Sequence, residues 1–421
     1  MTLPSPLPRA APATATARLR AGLALGLADV AAGRPELREA ATLFADRRDA
    51  RGELLAWCAL VLFIAIADDD YSGFEAGTAA INAAPESAFA HWADPADALL
   101  AEAGRLVAAT FEALDSPRAA GHATAIHAAL SDPAIPAAVR CCAGLAALGY
   151  HHISMDPGGV LWLELAMRPL RADPALGARL ADEALHLFVQ SLYQCEEPER
   201  AAALRDRRAA AGPPPLPVIE LKLHLLDAQM AIGAGQADAG RASLQRAEPL
   251  LEPGAPRLAG WWHLLHSRLD LLGGRHAQAL THARLALRLS GASGLPERWM
   301  GVAVMQEGHI HVSQGAPLAA VPFFERAGRA STGPQARLLL VSCPSCARAP
   351  PRRRDRCRIS RGHAHRAGCR PGARPRARLG ELLSRGGGRR QRRVRARART
   401  RHRDRLRARR DRAAGPGRRP A

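Results

Sequence analysis

Several groups of residues in this 421-residue sequence could do chemistry by their type and spacing. Asp68, Asp69 and Asp70 follow an apolar stretch, and clustered carboxylates can hold a hard divalent cation such as Mg²⁺. A helical metal-dependent enzyme built on them would need a second carboxylate-rich segment on a facing helix, with basic groups for a diphosphate. The sequence offers no such partner, so the run reads first as a polar helix end or inter-helix turn. His151 and His152 follow Tyr150, and His309 and His311 flank Ile310. Residues two apart on a helix point about 200° apart, so His309 and His311 cannot grip one ion from a regular helix. All four are expected to be core or surface histidines. No Gly-x-Ser-x-Gly elbow and no His-Glu-x-x-His pair occurs. The only lysine, Lys222, lies in Glu-Leu-Lys-Leu-His with no glycine loop before it, which excludes a phosphate-binding P-loop. The expectation is a non-enzyme with no cofactor and no metal.

The cysteines divide into two sets. Cys58, Cys141, Cys142 and Cys195 sit in apolar or helical contexts and read as buried thiols. Cys343, Cys346, Cys357 and Cys369, with His363 and His365 nearby, have a spacing that could hold a tetrahedral Zn²⁺. Around them the composition changes. Residues 351–421 carry 28 arginines, no lysine and four acidic residues, whereas residues 1–350 carry 31 basic and 35 acidic ones. The formal net charge of +20 therefore belongs to the tail. Such a tail would bind phosphate strongly and without sequence choice, and this supports an alternative reading as a nucleic-acid-binding protein. Yet residues 351–421 contain no Phe, Trp or Tyr, so they lack both a core for a zinc module and stacking platforms for single strands. Arg-, Pro- and Gly-rich low complexity is what GC-rich DNA yields when read out of frame. Residues 331–421 are therefore expected to be a disordered low-complexity tail, frameshift-derived in the leading reading, that binds polyanions non-specifically.

The elements that would position these residues read as all-α. Ala/Leu-rich stretches alternate with short breaks containing Gly, Pro, Asp or Ser, and strand-like runs are almost absent. After a disordered N-terminus over 1–15, helices are expected at 16–32, 36–46, 51–67, 71–83, 95–113, 117–130, 136–150, 159–171, 174–192, 197–210, 217–233, 236–250, 257–272, 275–289, 296–313 and 316–330. Pro35 and Pro174 suit first turns. Pro213–Pro215 and Pro217 cannot continue a helix and divide an irregular helical region, 16–210, from a more regular one, 217–330. The apolar run Leu54–Ala67 is shorter than a bilayer span requires and is expected to be a buried helix. With no signal-peptide pattern at the start, the expected location is cytoplasmic and away from membranes.

Within 217–330, aligning Gly235, Gly274 and Gly315 brings other small residues into register, at periods of 39 and 41 residues. Five residues on lie Gly240, Ala279 and Ala320; twelve on lie Ala247, Ala286 and Ala327; seven back lie Ala228, Ser267 and Gly308. A small residue in the first helix of a pair admits the second helix closely. The glycine permits the turn, and small residues seven apart line one face. Each unit leaves a face uncovered, so stacking is required. These columns resemble the small-residue positions of tetratricopeptide repeats, and the longer period is similar to the looser repeats in the helical region of bacterial MalT-type transcriptional regulators. The bulky aromatic usual on the first helix is absent: Ala231, Leu271 and His311 stand there. The resemblance implies an αα-solenoid of antiparallel helix pairs, a curved superhelix that binds a protein or peptide segment or a small effector. A regulator of that family would also carry an ATPase module and a DNA-binding domain, and neither is legible. The expected function is thus a non-enzymatic scaffold or effector-sensing module mediating protein–protein interaction in bacterial regulation. Trp262, His266, Arg268, Trp299, Gln306 and His309 are the groove candidates, with Trp261 facing a different direction from its neighbour.

Overall fold

The computed structural model describes residues 14–113, 116–212, 215–252, 255–296 and 300–330. Among these residues the fold is all-α, with no strand. The helices are α1 (Ala15–Ala28), α2 (Arg34–Asp46), α3 (Ala50–Ala67), α4 (Phe74–Ala83), α5 (Pro95–Glu112), α6 (Pro117–Ala129), α7 (Ala137–Ile153), α8 (Pro157–Ala166), α9 (Arg168–Arg171), α10 (Ala178–Gln194), α11 (Pro198–Ala211), α12 (Pro217–Gly233), α13 (Ala237–Ala247), α14 (Pro256–Leu272), α15 (His276–Ala292), α16 (Gly301–Ser313) and α17 (Pro317–Ala330). The remainder of the segments 1–15 and 331–421 lies outside the described residues, as do Trp299, the four tail cysteines, His363 and His365.

Local chemistry sets most boundaries. Prolines occupy the first turns of α2, α5, α6, α8, α11, α12 and α14, where their missing N–H costs nothing. Side-chain oxygens of Thr14, Asp49, Asp94, Ser116 and Asp156 accept backbone N–H groups at helix starts. Thr14 and Ala15 are therefore ordered, although the sequence reading placed them in the unstructured N-terminus. Three further differences have equally local causes. The helix expected at 159–171 breaks at Met167, because Pro169 cannot donate to the ladder. The helix expected from 174 begins at Ala178, since Asp173 accepts from the Ala175 N–H at 2.9 Å and holds Pro174 in a turn. Pro249 converts the end of 236–250 into a 3₁₀ turn, Glu248–Leu250.

Helix α3 runs through the middle of the core, with α2, α4, α5 and α7 packed around it. Leu54 to Ala67 are buried almost without interruption. Among the described residues α3 is the one helix long and apolar enough to cross a membrane, and its apolar side chains are consumed by this packing. Helix α5 approaches it through Gly104, where an added Cβ would lie 2.5 Å from the Cα and Cβ of Cys58. One apolar core extends from Ala15 to Leu295, across the proline-rich segment that separates 16–210 from 217–330.

In 217–330, α12 packs on α13, α14 on α15 and α16 on α17. The three turns are alike. Gly235, Gly274 and Gly315 have φ of 78°, 71° and 78°, and the N–H of the next residue donates to a carbonyl five residues back, at 2.8, 2.8 and 2.9 Å. Ala228, Ser267, Gly308, Gly240, Ala247, Ala279, Ala286, Ala320 and Ala327 are all buried. The Ser267 hydroxyl donates to the Ala279 carbonyl at 2.7 Å, tying α14 to α15. Gly308 receives the ring of Phe324, which would lie 3.0 Å from a Cβ there.

Candidate functional site

The aspartate run closes α3 and is engaged by cations from three other helices and by donors in the turn that follows it. Asp68 ends the helix in left-handed backbone, φ 42°, a conformation aspartate tolerates better than most residues. Its carboxylate accepts from the Arg257 guanidinium at 3.1 and 3.3 Å and from the Tyr71 hydroxyl at 2.8 Å. Asp69 pairs with Arg34 at 2.7 Å and Arg179 at 3.6 Å. Asp70 accepts from the Ser72 N–H and hydroxyl at 3.0 and 2.6 Å. Beneath the run, Lys222 is fully buried; its ammonium donates to the Ala67 carbonyl and to both carboxylate oxygens of Glu183, at 2.9 and 2.8 Å. These bonds pin the end of α3 to α2, α10, α12 and α14. The carboxylates that could have gathered a metal are thus spent on holding helices together. Among the described residues no three His, Cys, Asp or Glu side chains converge as metal ligands.

This pinned end forms the rim of a cavity with two chambers. One, of about 220 Å³, is walled mainly by apolar residues, including Leu62, Ile66, Val107, Phe111, Leu148 and Leu187, with Gly149 at its edge. The other, of about 480 Å³, is more polar, with Gln190, Tyr193, Gln194, Gln229, Trp261, Arg268 and Ser290 among its lining residues. Asp68, His152, Ile153, Gln190, Arg257 and Leu295 belong to both walls, so the chambers adjoin there. The walls come from α3, α5, α7 and α10 on one side and from α12, α14, α15 and α16 on the other. A backbone bond across this seam, from the Tyr71 N–H to the Ser293 carbonyl at 2.8 Å, holds it shut. It requires Gly294, which has φ 75° and comes so close that a Cβ would lie 3.1 Å from the Tyr71 backbone.

The charges in the cavity are unequal. Arg257 and Asp68 neutralise each other, and burial beside Asp68 pushes the Tyr71 phenol up. Burial pulls the His152 imidazole down to about 4 against the weaker opposing pull of Asp68, so it is neutral near pH 7. Gln194 donates to the His152 carbonyl at 3.1 Å. Arg268 differs from all of these. It is half-buried in the polar chamber, and no described residue makes a hydrogen bond or ion pair with it. Burial alone lowers its pKa, with no carboxylate to oppose the effect. His309 is held low by its own burial and then by the field of Arg268.

The other groove candidates fall elsewhere. Trp262 packs between helices, its indole N–H donating to the Leu244 carbonyl at 3.3 Å and its ring 4.0 Å from that of His266. His266 also stacks on His282 at 5.2 Å, and burial pulls its pKa to about 4. Gln306 is buried and donates to the Ser267 hydroxyl at 3.2 Å, so it joins α16 to α14 instead of lining a groove. His309 meets the edge of Phe324 at 5.3 Å. It is Trp261, not Trp262, that faces the cavity, its N–H donating to the Gln229 side chain at 3.2 Å.

Sequence reasoning also passed over Arg257 and Gln190, and it read His152 only as a core or surface histidine. Arg257 did carry a signal. A cation in the first turn of a helix opposes the helix dipole, and α14 has no acidic residue there to offset it, so a tertiary carboxylate was to be expected. His151, by contrast, faces away, to Asp156 at 3.0 Å and His127 at 3.2 Å. Cys58, Cys141 and Cys142 are buried and Cys195 is half-buried; burial pushes all four thiols up, Cys141 to about 12 and Cys195 to about 11. No protein-family model matches the chain, and no curated protein matches it significantly in sequence.

Proposed function

We propose that this chain is a non-enzymatic, effector-sensing helical-repeat module whose small-molecule site is the two-chamber cavity. The observation that carries the reading is the composition of the cavity wall, which draws on the irregular helices α3, α5, α7 and α10 and on the paired helices from α12 onward. A ligand bound there contacts both sets and changes the free energy of closing one on the other, which is what an effector must do to alter a binding surface. Within this proposal 217–330 is a tetratricopeptide-like array of antiparallel pairs. It is supported by the three equivalent glycine turns and the buried small-residue columns, and by the resemblance to the helical region of MalT-type regulators. The output is contact with a protein partner in the cytoplasm.

The reading is tested by hydrogen exchange on the full chain with and without small molecules found by a thermal-shift screen. A true effector slows exchange in both α7–α10 and α12–α16. Hits that protect only residues 331–421, or one side of the cavity alone, overturn it.

A further inference from the structure

We infer that the cavity takes an amphipathic anion, a small molecule with an acidic head seated at Arg268 in the polar chamber and a compact apolar body in the apolar one. This deepens the proposal above and rests on the cavity being the effector site.

The charges lining the polar chamber are out of balance. A guanidinium stays charged at any physiological pH and carries five donors. Withdrawn from bulk water without a counter-ion, it lowers stability. Elsewhere in the core this chain meets that cost by pairing: Arg34 and Arg179 with Asp69, Arg257 with Asp68, and Lys222 with Glu183. Arg268 alone of the charged residues lining the two chambers has no described partner. His309, the titratable neighbour that feels Arg268, is pushed toward its neutral form, and so is His152 on the shared rim. Neither adds a second cation or supplies an anion. Among the described residues, the polar chamber therefore holds one positive charge without a partner, beside the uncharged side chains of Gln190, Gln229 and Ser290. That arrangement favours a single negative group and rejects a cation.

The second part of the ligand follows from the adjoining chamber. At about 220 Å³ it exceeds the roughly 150 Å³ apolar cavity that stays dry and binds benzene. A phenyl ring or short acyl chain fits, and burying it supplies affinity that a lone ion pair would not. One ligand would set its head and body in a single orientation across the boundary where the chambers adjoin, at Asp68, His152, Ile153, Gln190, Arg257 and Leu295. The Asp68 carboxylate is held at that rim by Arg257 and Tyr71, which leaves Arg268 as the charge available to a ligand.

The experiment is calorimetric titration of the full chain, at physiological salt, with octanoate, octyl phosphate, 1-octanol and octylamine, repeated on Arg268→Gln and Gly149→Leu. Gly149 lines the apolar chamber, and a Cβ there meets no atom within 4 Å, so a leucine side chain starts from open space at the chamber wall. Expected are saturable binding of octanoate or octyl phosphate, at least tenfold weaker binding of octanol and octylamine, and at least a tenfold loss for the anions in each variant. The preferred anion tells whether the head is a carboxylate or a phosphate. Equal binding of octanol and octanoate, unchanged by Arg268→Gln but lost in Gly149→Leu, would overturn the anion while sparing the cavity as a site. Binding of the anions that neither variant weakens would assign it to the arginine-rich tail and overturn both. Circular dichroism of each variant confirms that its helices are intact.

Discussion

The same substitution, glycine to alanine inside a helix, should have opposite effects at two places in this fold. Gly149 lies in α7 and Gly104 in α5. Intrinsic helix preference favours alanine over glycine by about 1 kcal/mol at an interior position. At Gly149 nothing lies within 4 Å of the added Cβ, so the gain should be realised in full, raising Tm by about 1.5 °C for a helical domain of roughly 300 residues. At Gly104 the added Cβ would lie 2.5 Å from Cys58 Cα, 2.5 Å from Cys58 Cβ and 2.6 Å from the Cys58 carbonyl oxygen. Two of those atoms are backbone and cannot rotate away, so α3 and α5 must separate across the centre of the core. Overpacking of this kind costs about 1–3 kcal/mol or more, and with backbone in the way the upper end applies. After the helix-propensity gain, a net loss of about 2 kcal/mol is expected, seen as a lower urea midpoint at unchanged m-value. Cys58→Ala added to Gly104→Ala should restore little, because the clash is not with sulfur. If Gly104→Ala were as stabilising as Gly149→Ala, the close packing of α3 on α5 would be wrong.

Other perturbations probe the buried ion pairs, the histidines, the seam and the tail. Lys222→Met should cost about 3 kcal/mol, because it leaves Glu183 with Arg179 alone and strips the Ala67 carbonyl of its side-chain donor. The double variant Lys222→Met/Glu183→Leu should recover much of this in urea unfolding, and a double variant worse than the single would count against the buried pair. His152 and His266 are held to about 4 when folded, against about 6.5 ordinarily. The unfolded chain therefore binds more protons between those values, and stability should be full above pH 6.5 and fall as pH drops toward 4. A Tm independent of pH from 7.5 to 5 would contradict it, and His152→Gln should flatten the slope. Gly294→Ala places a Cβ on left-handed backbone against Tyr71 and should open the seam, read as faster hydrogen exchange at Tyr71–Phe74 with helix content unchanged. A chain ending at Ala330 should keep its cooperative melting and lose most salt-sensitive binding to heparin, since residues 351–421 carry 28 arginines; a non-cooperative melt would mean that the tail completes the fold.

The sequence by itself determined where helices begin and end. First-turn prolines, Asp, Ser and Thr caps, and glycines at 235, 274 and 315 act through bonds within a few residues, so their signals survive in a linear reading. Even the misjudged boundaries at Pro169, Pro174 and Pro249 obeyed local rules that the helical periodicity had masked. The apolar run Leu54–Ala67 could be read as buried because its length and flanking charges excluded a simpler use. What only the tertiary structure decided was the use of the polar residues. Asp68 meets Arg257 across 189 positions of sequence, and Lys222 meets the Ala67 carbonyl across 155; neither partner is implied by its neighbours. Trp261 and Trp262 are the same residue type in adjacent positions, and a rotation of about 100° along the helix sends one to the cavity and the other into packing. The cavity itself has no local code, because it is volume left over where side chains from eight helices fail to meet. Whether Arg268 finds a carboxylate in that space or stands alone depends on the placement of all of them at once.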